Sequence, residues 1–194
     1  MTTDLANESG LRYAFKASLV GSAHQFELTE QGLSWRIGGR AGLWPYIDIA
    51  AVRLSYRPVS MQSRRFRADI ANADGARLAI FSTSWQTAAL MAPQDRNYGA
   101  FIVALHARMA KAASRAVLSG GLGPRVYAAA IVCVTLLAVA MIGLFARSVA
   151  TGEWAGALFL IGFAALFAWQ VGGFIMRNRP LAYTFDNLPK ALLP

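Results

Sequence analysis

The stretch Val126–Ala146, VYAAAIVCVTLLAVAMIGLFA, decides the fold class of this chain, because its 21 residues include no charged side chain. A second charge-free run of 23 residues, Trp154–Met176, follows after a seven-residue connection and has the sequence WAGALFLIGFAALFAWQVGGFIM. A helix needs about 20 apolar residues to cross a bilayer core of about 30 Å. Both runs therefore predict transmembrane helices rather than buried helices of a soluble core.

The charges that flank the two runs predict their orientation. Seven residues can reverse the chain but cannot form a domain, so we expect an antiparallel hairpin with both chain ends on one side. Arg125 precedes the first run, Arg177 and Arg179 follow the second, and the connection carries Arg147 and Glu153. By the positive-inside rule, the N- and C-termini face the cytoplasm. The polar N-terminus lacks the apolar segment of a signal peptide, and the excess of arginine over lysine, 16 to 3, favours a bacterial inner membrane.

The composition of the whole chain supports a membrane protein. Of the 194 residues, 56% are hydrophobic and 15% are charged, with a net charge of +9. Soluble domains carry about 25% charged residues, and disordered chains combine low hydrophobicity with high charge. An ordinary soluble enzyme and a disordered chain are both disfavoured. Residues 31–123 alone carry a net charge of +8, which concentrates the basic character before the membrane segment.

Alternating apolar and polar residues predict strands in the first part of the chain. Residues 25–30 and Leu33–Ile37 form a predicted hairpin that turns near Gly32. Residues 38–42 break the pattern as a predicted loop, and Tyr46–Tyr56 form a third predicted strand.

A further hairpin is centred on Asp74 and Gly75, between two alternating runs. An Asp-Gly pair favours a type I′ turn, in which both central residues have positive φ. In the strand before this turn, Phe66, Ala68 and Ile70 are expected to face inward.

After Trp85 the apolar residues recur at steps of three and four, which predicts an amphipathic helix from about Asn97 to Leu118. Arg108, Lys111 and Arg115 form a second, basic stripe on that helix. The apolar stripe comprises Tyr98, Phe101, Ile102, Leu105 and Met109.

Several antiparallel strands followed by one closing helix resemble a bacterial pleckstrin-homology-like (PH-like) domain. The resemblance covers roughly residues 11–116 and rests on element order and on the phrases Leu33-Ser-Trp35, Trp44-Pro-Tyr-Ile-Asp-Ile49 and Asp74-Gly75. It implies an α+β fold: an antiparallel PH-like β-barrel or sandwich closed by a C-terminal helix, followed here by a two-helix transmembrane hairpin. The closing helix has no tryptophan, and the arginine pair of residues 65 and 67 follows the third strand rather than the first hairpin. A phosphoinositide site is therefore not implied.

The chain is thus predicted to contain five segments. They are a flexible N-terminus (1–10), a cytoplasmic PH-like domain (11–118), a linker (119–124), a transmembrane hairpin (125–177, with spans 126–146 and 154–176) and an extended cytoplasmic tail (178–194). Leu188, Leu192 and Leu193 are too apolar for a solvated tail. We expect them to dock on the N-terminal domain or on a partner.

The sequence offers little for catalysis. His24 and His106 lie far apart without a neighbouring Cys, Asp or Glu at ligand spacing, and His106 is expected to be a packed side chain. The single cysteine, Cys133, lies in the first span, which excludes thiol catalysis and cysteine-based zinc sites. No phosphate-binding loop, nucleophile elbow or zinc-protease motif occurs. The spans contain no Asp, Glu, Lys, Arg or His, which disfavours an autonomous transporter. We expect no enzymatic activity and no cofactor or metal.

The basic residues are candidates for contacts with anionic lipid headgroups, each worth about 1 kcal/mol close to a charged surface. A solvated positive-inside face is the alternative, and the absence of a recognition motif argues against nucleic acid. The candidates are Arg64, Arg65, Arg67, Arg108, Lys111, Arg115 and Arg125.

Ala164, Ala168 and Gly172 form a stripe of small residues that lets helices approach closely. This stripe packs either on the first span or on another subunit, including a second copy of this chain. The predicted function is an accessory or scaffolding subunit that binds a protein partner at the membrane. The alternatives are a module that senses anionic lipids and an accessory subunit of a transporter or enzyme complex.

Overall fold

The structure is a computed structural model that describes residues 10–58, 64–87 and 90–194. It divides into two compact units. The first comprises the chain up to Gly120 together with Ala182–Pro194, and the second is Gly121–Leu181. Residues 182–194 of the predicted tail (178–194) therefore belong to the first unit, and residues 178–181 belong to the second.

The first unit is α+β and the second is helical. The strands are β1 (Arg12–Phe15), β2 (His24–Leu28), β3 (Leu33–Ile37), β4 (Arg40–Trp44), β5 (Ile49–Tyr56), β6 (Phe66–Asn72), β7 (Arg77–Phe81), β8 (Thr83–Trp85), β9 (Met91–Pro93), β10 (Val117–Gly120) and β11 (Leu181–Ala182). The helices are α1 (Asp95–Lys111), α2 (Pro124–Ala150) and α3 (Trp154–Arg177), with short 3₁₀ turns at Tyr46–Asp48 and Lys190–Leu192.

The first sheet has the order β1-β2-β3-β4 and is antiparallel throughout. The predicted hairpin near Gly32 is confirmed, since β2 and β3 pair on either side of it. The predicted loop over residues 38–42 is wrong beyond its first two residues. Gly38 and Gly39 have φ of 55° and 81° and form a two-residue turn, and Arg40 begins β4. This is the pair of positive φ values that a type I′ turn requires.

The second sheet has the order β11-β10-β5-β6-β7. Strands β5, β6 and β7 are antiparallel, whereas β10 pairs with β5 in parallel. Phe66, Ala68 and Ile70 are buried as predicted. Strands β8 and β9 form a separate two-stranded sheet, and no sheet is closed into a barrel among the described residues.

The turn between β6 and β7 differs from its prediction. Gly75 has φ of 83°, but Asp74 does not have positive φ. The Gly75 amide donates to the Asn72 carbonyl at 3.1 Å, and the Asn72 amide donates to the Ala76 carbonyl at 3.0 Å. This is a type I turn followed by a glycine in the left-handed region, the usual three-residue hairpin connection. The type I′ prediction was wrong because the loop is one residue longer than the sequence suggested.

Helix α1 supplies the predicted apolar stripe, which is fully buried in the core of the first unit. The helix nevertheless ends at Lys111 rather than near Leu118. Ala113 adopts φ of 53° and closes the helix, and the chain then continues into β10. Ser119 and Gly120, predicted as linker, are therefore strand residues.

The second unit is a helical hairpin. Helices α2 and α3 are both long and apolar enough to cross a membrane, and they contain the two predicted spans. The connection is ordered by Ser148, whose hydroxyl donates to the Glu153 carbonyl at 2.6 Å, and by Gly152 with φ of 76°.

Candidate binding surface

The outer face of the second sheet brings several charged side chains together. Along β6, Arg67 and Asp69 alternate with buried residues and so point away from the core. Arg67 lies opposite Phe81 on β7, and Asp69 lies opposite Arg53 on β5. Arg65, just before β6, continues the same outward-facing series.

Two guanidinium groups of this face share one aromatic ring. The Arg65 guanidinium carbon lies 3.9 Å from the centre of the Phe81 ring, and that of Arg67 lies 5.3 Å away. Both distances are within the range of a cation–π interaction. Arg67 also pairs with Asp69, whose carboxylate oxygen accepts from Nε at 2.8 Å and from Nη2 at 2.5 Å. Phe81 and Asp69 thus hold the two arginines in a fixed arrangement.

Arg65 is the least well compensated of these groups. Its Nε is buried and has no hydrogen-bond partner among the residues that the structure describes. Burial lowers the pKa of the Arg65 guanidinium, and the positive charge of Arg67 lowers it further. The neighbouring Ser55 hydroxyl, on β5 opposite Arg67, is also buried, and no partner for it lies in the described ranges of the chain. Buried polar groups without partners cost free energy.

The remainder of the face is shallow and mixed in character. Arg53 is exposed, and its Nε donates to the Ser119 hydroxyl of β10 at 3.4 Å. Arg77 at the start of β7 is exposed as well. Val117 is 67% exposed on the same face. We call this surface the arginine face and define it as Arg53, Arg65, Arg67, Asp69, Arg77, Phe81 and Val117.

The other candidate lipid contacts are dispersed. Arg108 donates from Nη1 to the Leu28 carbonyl at 2.8 Å and so holds α1 against β2. Because α1 ends at Lys111, Arg115 is not part of a helical stripe, and that predicted stripe was wrong. The structure places Arg64, Lys111, Arg115 and Arg125 in exposed positions, and only Arg65 and Arg67 are brought together.

The predicted small-residue stripe lies partly within the helical hairpin. Ala164 and Ala168 line an apolar cleft of about 360 Å³ whose opposite wall is formed by α2 residues, among them Leu137 and Met141. Gly172 does not line this cleft. The first two residues of the stripe therefore face the intramolecular neighbour.

The C-terminal residues pack on the first unit. Leu192 is fully buried, whereas Leu188 and Leu193 are half-buried. His106 of α1 is buried as well, and its Nε2 lies 2.9 Å from the Tyr183 hydroxyl. This segment completes the core next to α1.

Within the part of the chain that the structure describes, no group of three or more His, Cys, Asp or Glu side chains could hold a metal ion. Cys133 is exposed on the surface of α2. His24 and His106 lie on different elements, and burial lowers the pKa of each.

No family model, no curated protein and no solved structure matches this chain.

The arginine face was predicted only in part from the sequence. Arg65 and Arg67 were candidates, but Arg53 and Phe81 were not. The period-two pattern of β5 places Arg53 outward and could have indicated it, whereas the position of Phe81 depends on the register between β6 and β7.

Proposed function

We propose that this chain is a non-enzymatic inner-membrane protein that presents a PH-like domain to the cytoplasm and holds a protein partner at the membrane. In this role the chain is an accessory or scaffolding subunit. Its main support is the arrangement of Arg65, Phe81 and Arg67, a pre-positioned and half-buried set of side chains on an open sheet face. Arginine and aromatic residues are enriched where protein interfaces derive most of their binding energy.

The membrane location is supported by the length and composition of α2 and α3. The cytoplasmic orientation is supported by Arg125, Arg177 and Arg179 beside the helix ends. It can be tested with cysteine variants in a Cys133→Ala background. Thr151→Cys should react with an impermeant maleimide in spheroplasts, and Asp186→Cys should react only after lysis. The opposite labelling pattern would overturn this orientation.

A PH-like fold for the first unit is supported by the order of antiparallel strands followed by α1. Two open sheets and the additional strand β10 are departures from a simple closed barrel. An experimental structure of the full chain in a membrane mimetic tests this assignment. The assignment fails if the two larger sheets do not form a barrel or sandwich that is closed by α1.

The partner-binding role is tested by purifying the full chain from native membranes in mild detergent. We expect a stoichiometric protein partner that remains bound in high salt. A monomer without a partner, whose association with anionic lipid is lost in salt, would overturn this role.

A monomer that associates with anionic lipid in a salt-sensitive way would support the alternative of an anionic-lipid sensor. The observation that favours the alternative is the exposure of Lys111, the last residue of α1, and of Arg115 just beyond it. Exposed basic side chains attract anionic headgroups without a fixed geometry. Replacing both with glutamine should abolish lipid sensing and leave partner binding unchanged if the roles are separate.

A further inference from the structure

We infer that the arginine face binds an acidic segment of the protein partner, with Arg65 as the principal contact. This inference rests on the proposed function and specifies the chemistry of the partner. It concerns a surface formed entirely by the first unit.

The charge of the face selects an acidic ligand. Arg53, Arg65, Arg67 and Arg77 face the same side of the sheet, and Asp69 is the only carboxylate in the set that defines the face. Like charges gathered on one surface raise the local concentration of oppositely charged ligands and speed their association.

The stacking of Arg65 favours a carboxylate with a defined orientation. A guanidinium presents a planar set of donors that matches a carboxylate through two parallel hydrogen bonds. Contact with Phe81 at 3.9 Å already restricts the Arg65 side chain, so binding costs less conformational entropy.

Arg67 has a different role because Asp69 already occupies its Nε and Nη2. The pair keeps Arg67 in place beside the Phe81 ring and reduces its attraction for a second carboxylate. Asp69 also repels an incoming acidic group, so this residue limits the affinity of the face.

Apolar surface next to the arginines favours a protein segment over a lipid headgroup. The cross-strand pairs continue from Asp69 to Ala71 on β6, which lies opposite Ala51 on β5, and Ala51 lies opposite exposed Val117 on β10. These small side chains leave a shallow strip that apolar side chains can cover. A segment with acidic and apolar residues satisfies both parts of the face, whereas a headgroup contacts only the charges.

The experiment uses the full chain in nanodiscs and a fluorescent peptide of alternating Glu and Leu, with a peptide of alternating Lys and Leu as control. We expect the acidic peptide alone to bind. Arg65→Gln should weaken its binding by about tenfold, the effect of one charge-assisted contact. Arg40→Gln, an exposed strand arginine of the other sheet, is the matched control and should leave binding unchanged.

Two further variants separate a specific contact from net charge. Arg65→Lys keeps the charge but loses the planar donor set, so we expect a loss close to that of Arg65→Gln. Asp69→Asn should tighten binding by about threefold, because it removes the repelling carboxylate. Unchanged melting temperatures verify that the variants fold. Wild-type affinity in Arg65→Lys, or equal losses in Arg65→Gln and Arg40→Gln, would overturn the inference.

The lipid composition of the nanodiscs tests the other class of ligand. Peptide binding should persist when phosphatidylglycerol is added to phosphatidylcholine. Its loss in the anionic nanodiscs would assign the face to lipid and overturn the inference.

The proposed function is judged separately by co-purification of the partner. A partner that binds wild-type protein and Arg65→Gln equally removes the acidic-segment inference and leaves the proposed function in place. Absence of any stoichiometric partner on the wild-type chain removes the proposed function, whatever the peptide result.

Discussion

His106 on α1 and Tyr183 in the C-terminal segment are joined by a hydrogen bond of 2.9 Å between Nε2 and the phenol oxygen. The other ring nitrogen, Nδ1, lies 2.8 Å from the Ile102 carbonyl and must carry the proton, because a carbonyl oxygen only accepts. Nε2 therefore accepts from the Tyr183 hydroxyl. This bond joins residues 77 positions apart in the chain and fixes the C-terminal segment to the core.

Removing the Tyr183 hydroxyl should destabilise the first unit. In Tyr183→Phe, the buried Nε2 of His106 is left without a donor, and such a loss costs about 1–3 kcal/mol. Denaturation of the full chain in detergent, followed by circular dichroism, measures this. Thr184→Ala changes an exposed neighbour and serves as control. Equal stability of Tyr183→Phe and wild type would contradict the role assigned to the bond.

The stability of the chain should fall as pH is lowered from about 7 to 5. Burial lowers the pKa of His106, and the hydrogen bond to Ile102 offsets this only in part. The unfolded histidine has a pKa of about 6.5, so the unfolded state binds the proton first. The stabilising contribution is complete above that pH and is lost as pH falls toward the lower pKa of the folded state.

Melting temperatures measured across this pH range test the linkage. His106→Gln should have a shallower dependence than wild type. His24→Gln should also make the pH dependence of stability shallower, independently of His106, because burial lowers the pKa of His24 as well. An identical pH dependence in wild type and His106→Gln would refute the assignment.

Leu192, in the 3₁₀ turn Lys190–Leu192, contributes to the core of the first unit. Its side chain is fully buried, and truncation of a buried leucine to alanine costs about 2–5 kcal/mol. Leu192→Ala should therefore lower the free energy of unfolding substantially, whereas Leu193→Ala, at a half-buried position, should have a smaller effect. Deleting residues 182–194 should lower the free energy of unfolding more than either substitution does. Unchanged stability of the deletion variant would show that the segment does not complete the core.

Gly121 permits a close approach between the two ends of the helical unit. Its φ is 78°, and a Cβ there would lie 2.4 Å from the carbonyl oxygens of Asn178 and Arg179. Gly152 has nearly the same φ, 76°, but nothing lies within 4 Å of its would-be Cβ. Both alanine variants are destabilised by about 1–2 kcal/mol because alanine is strained at positive φ. In Gly121→Ala the new Cβ also clashes with the two carbonyl oxygens.

The difference in stability between Gly121→Ala and Gly152→Ala measures the cost of the clash at Gly121 alone. We expect Gly121→Ala to unfold at the lower temperature in the same detergent. Equal losses would mean that the backbone relaxes at Gly121 without cost.

A stabilising substitution is available at the end of α1. Ser114 donates its amide to the Met109 carbonyl and Ala113 donates to Ala110, each at 3.0 Å, which is a Schellman motif. Ala113 holds the left-handed position with φ of 53°, where glycine is unstrained. Ala113→Gly should increase the free energy of unfolding by about 1 kcal/mol. Ala112→Gly, at φ of −81°, should decrease it, and the same sign for both variants would contradict this explanation.

Ala113 also shows why sequence reasoning placed the end of α1 too late. Helix ends are recognised mainly by glycine just beyond the last turn, and here alanine occupies that position. The residues that follow, Val117 to Gly120, have no strong local preference. They form a strand because β5 provides a parallel partner, which is a contact distant in the sequence.

The sequence by itself determined the helical hairpin, the alternating strands β5 to β7 and the buried stripe of α1. These features depend on the length and period of apolar residues, which are local properties of the chain. Only the tertiary structure decided the places of β10, the C-terminal segment and the Phe81 ring. Each of these depends on pairing or packing between residues far apart, as in His106 and Tyr183, and no local pattern encodes such a pairing.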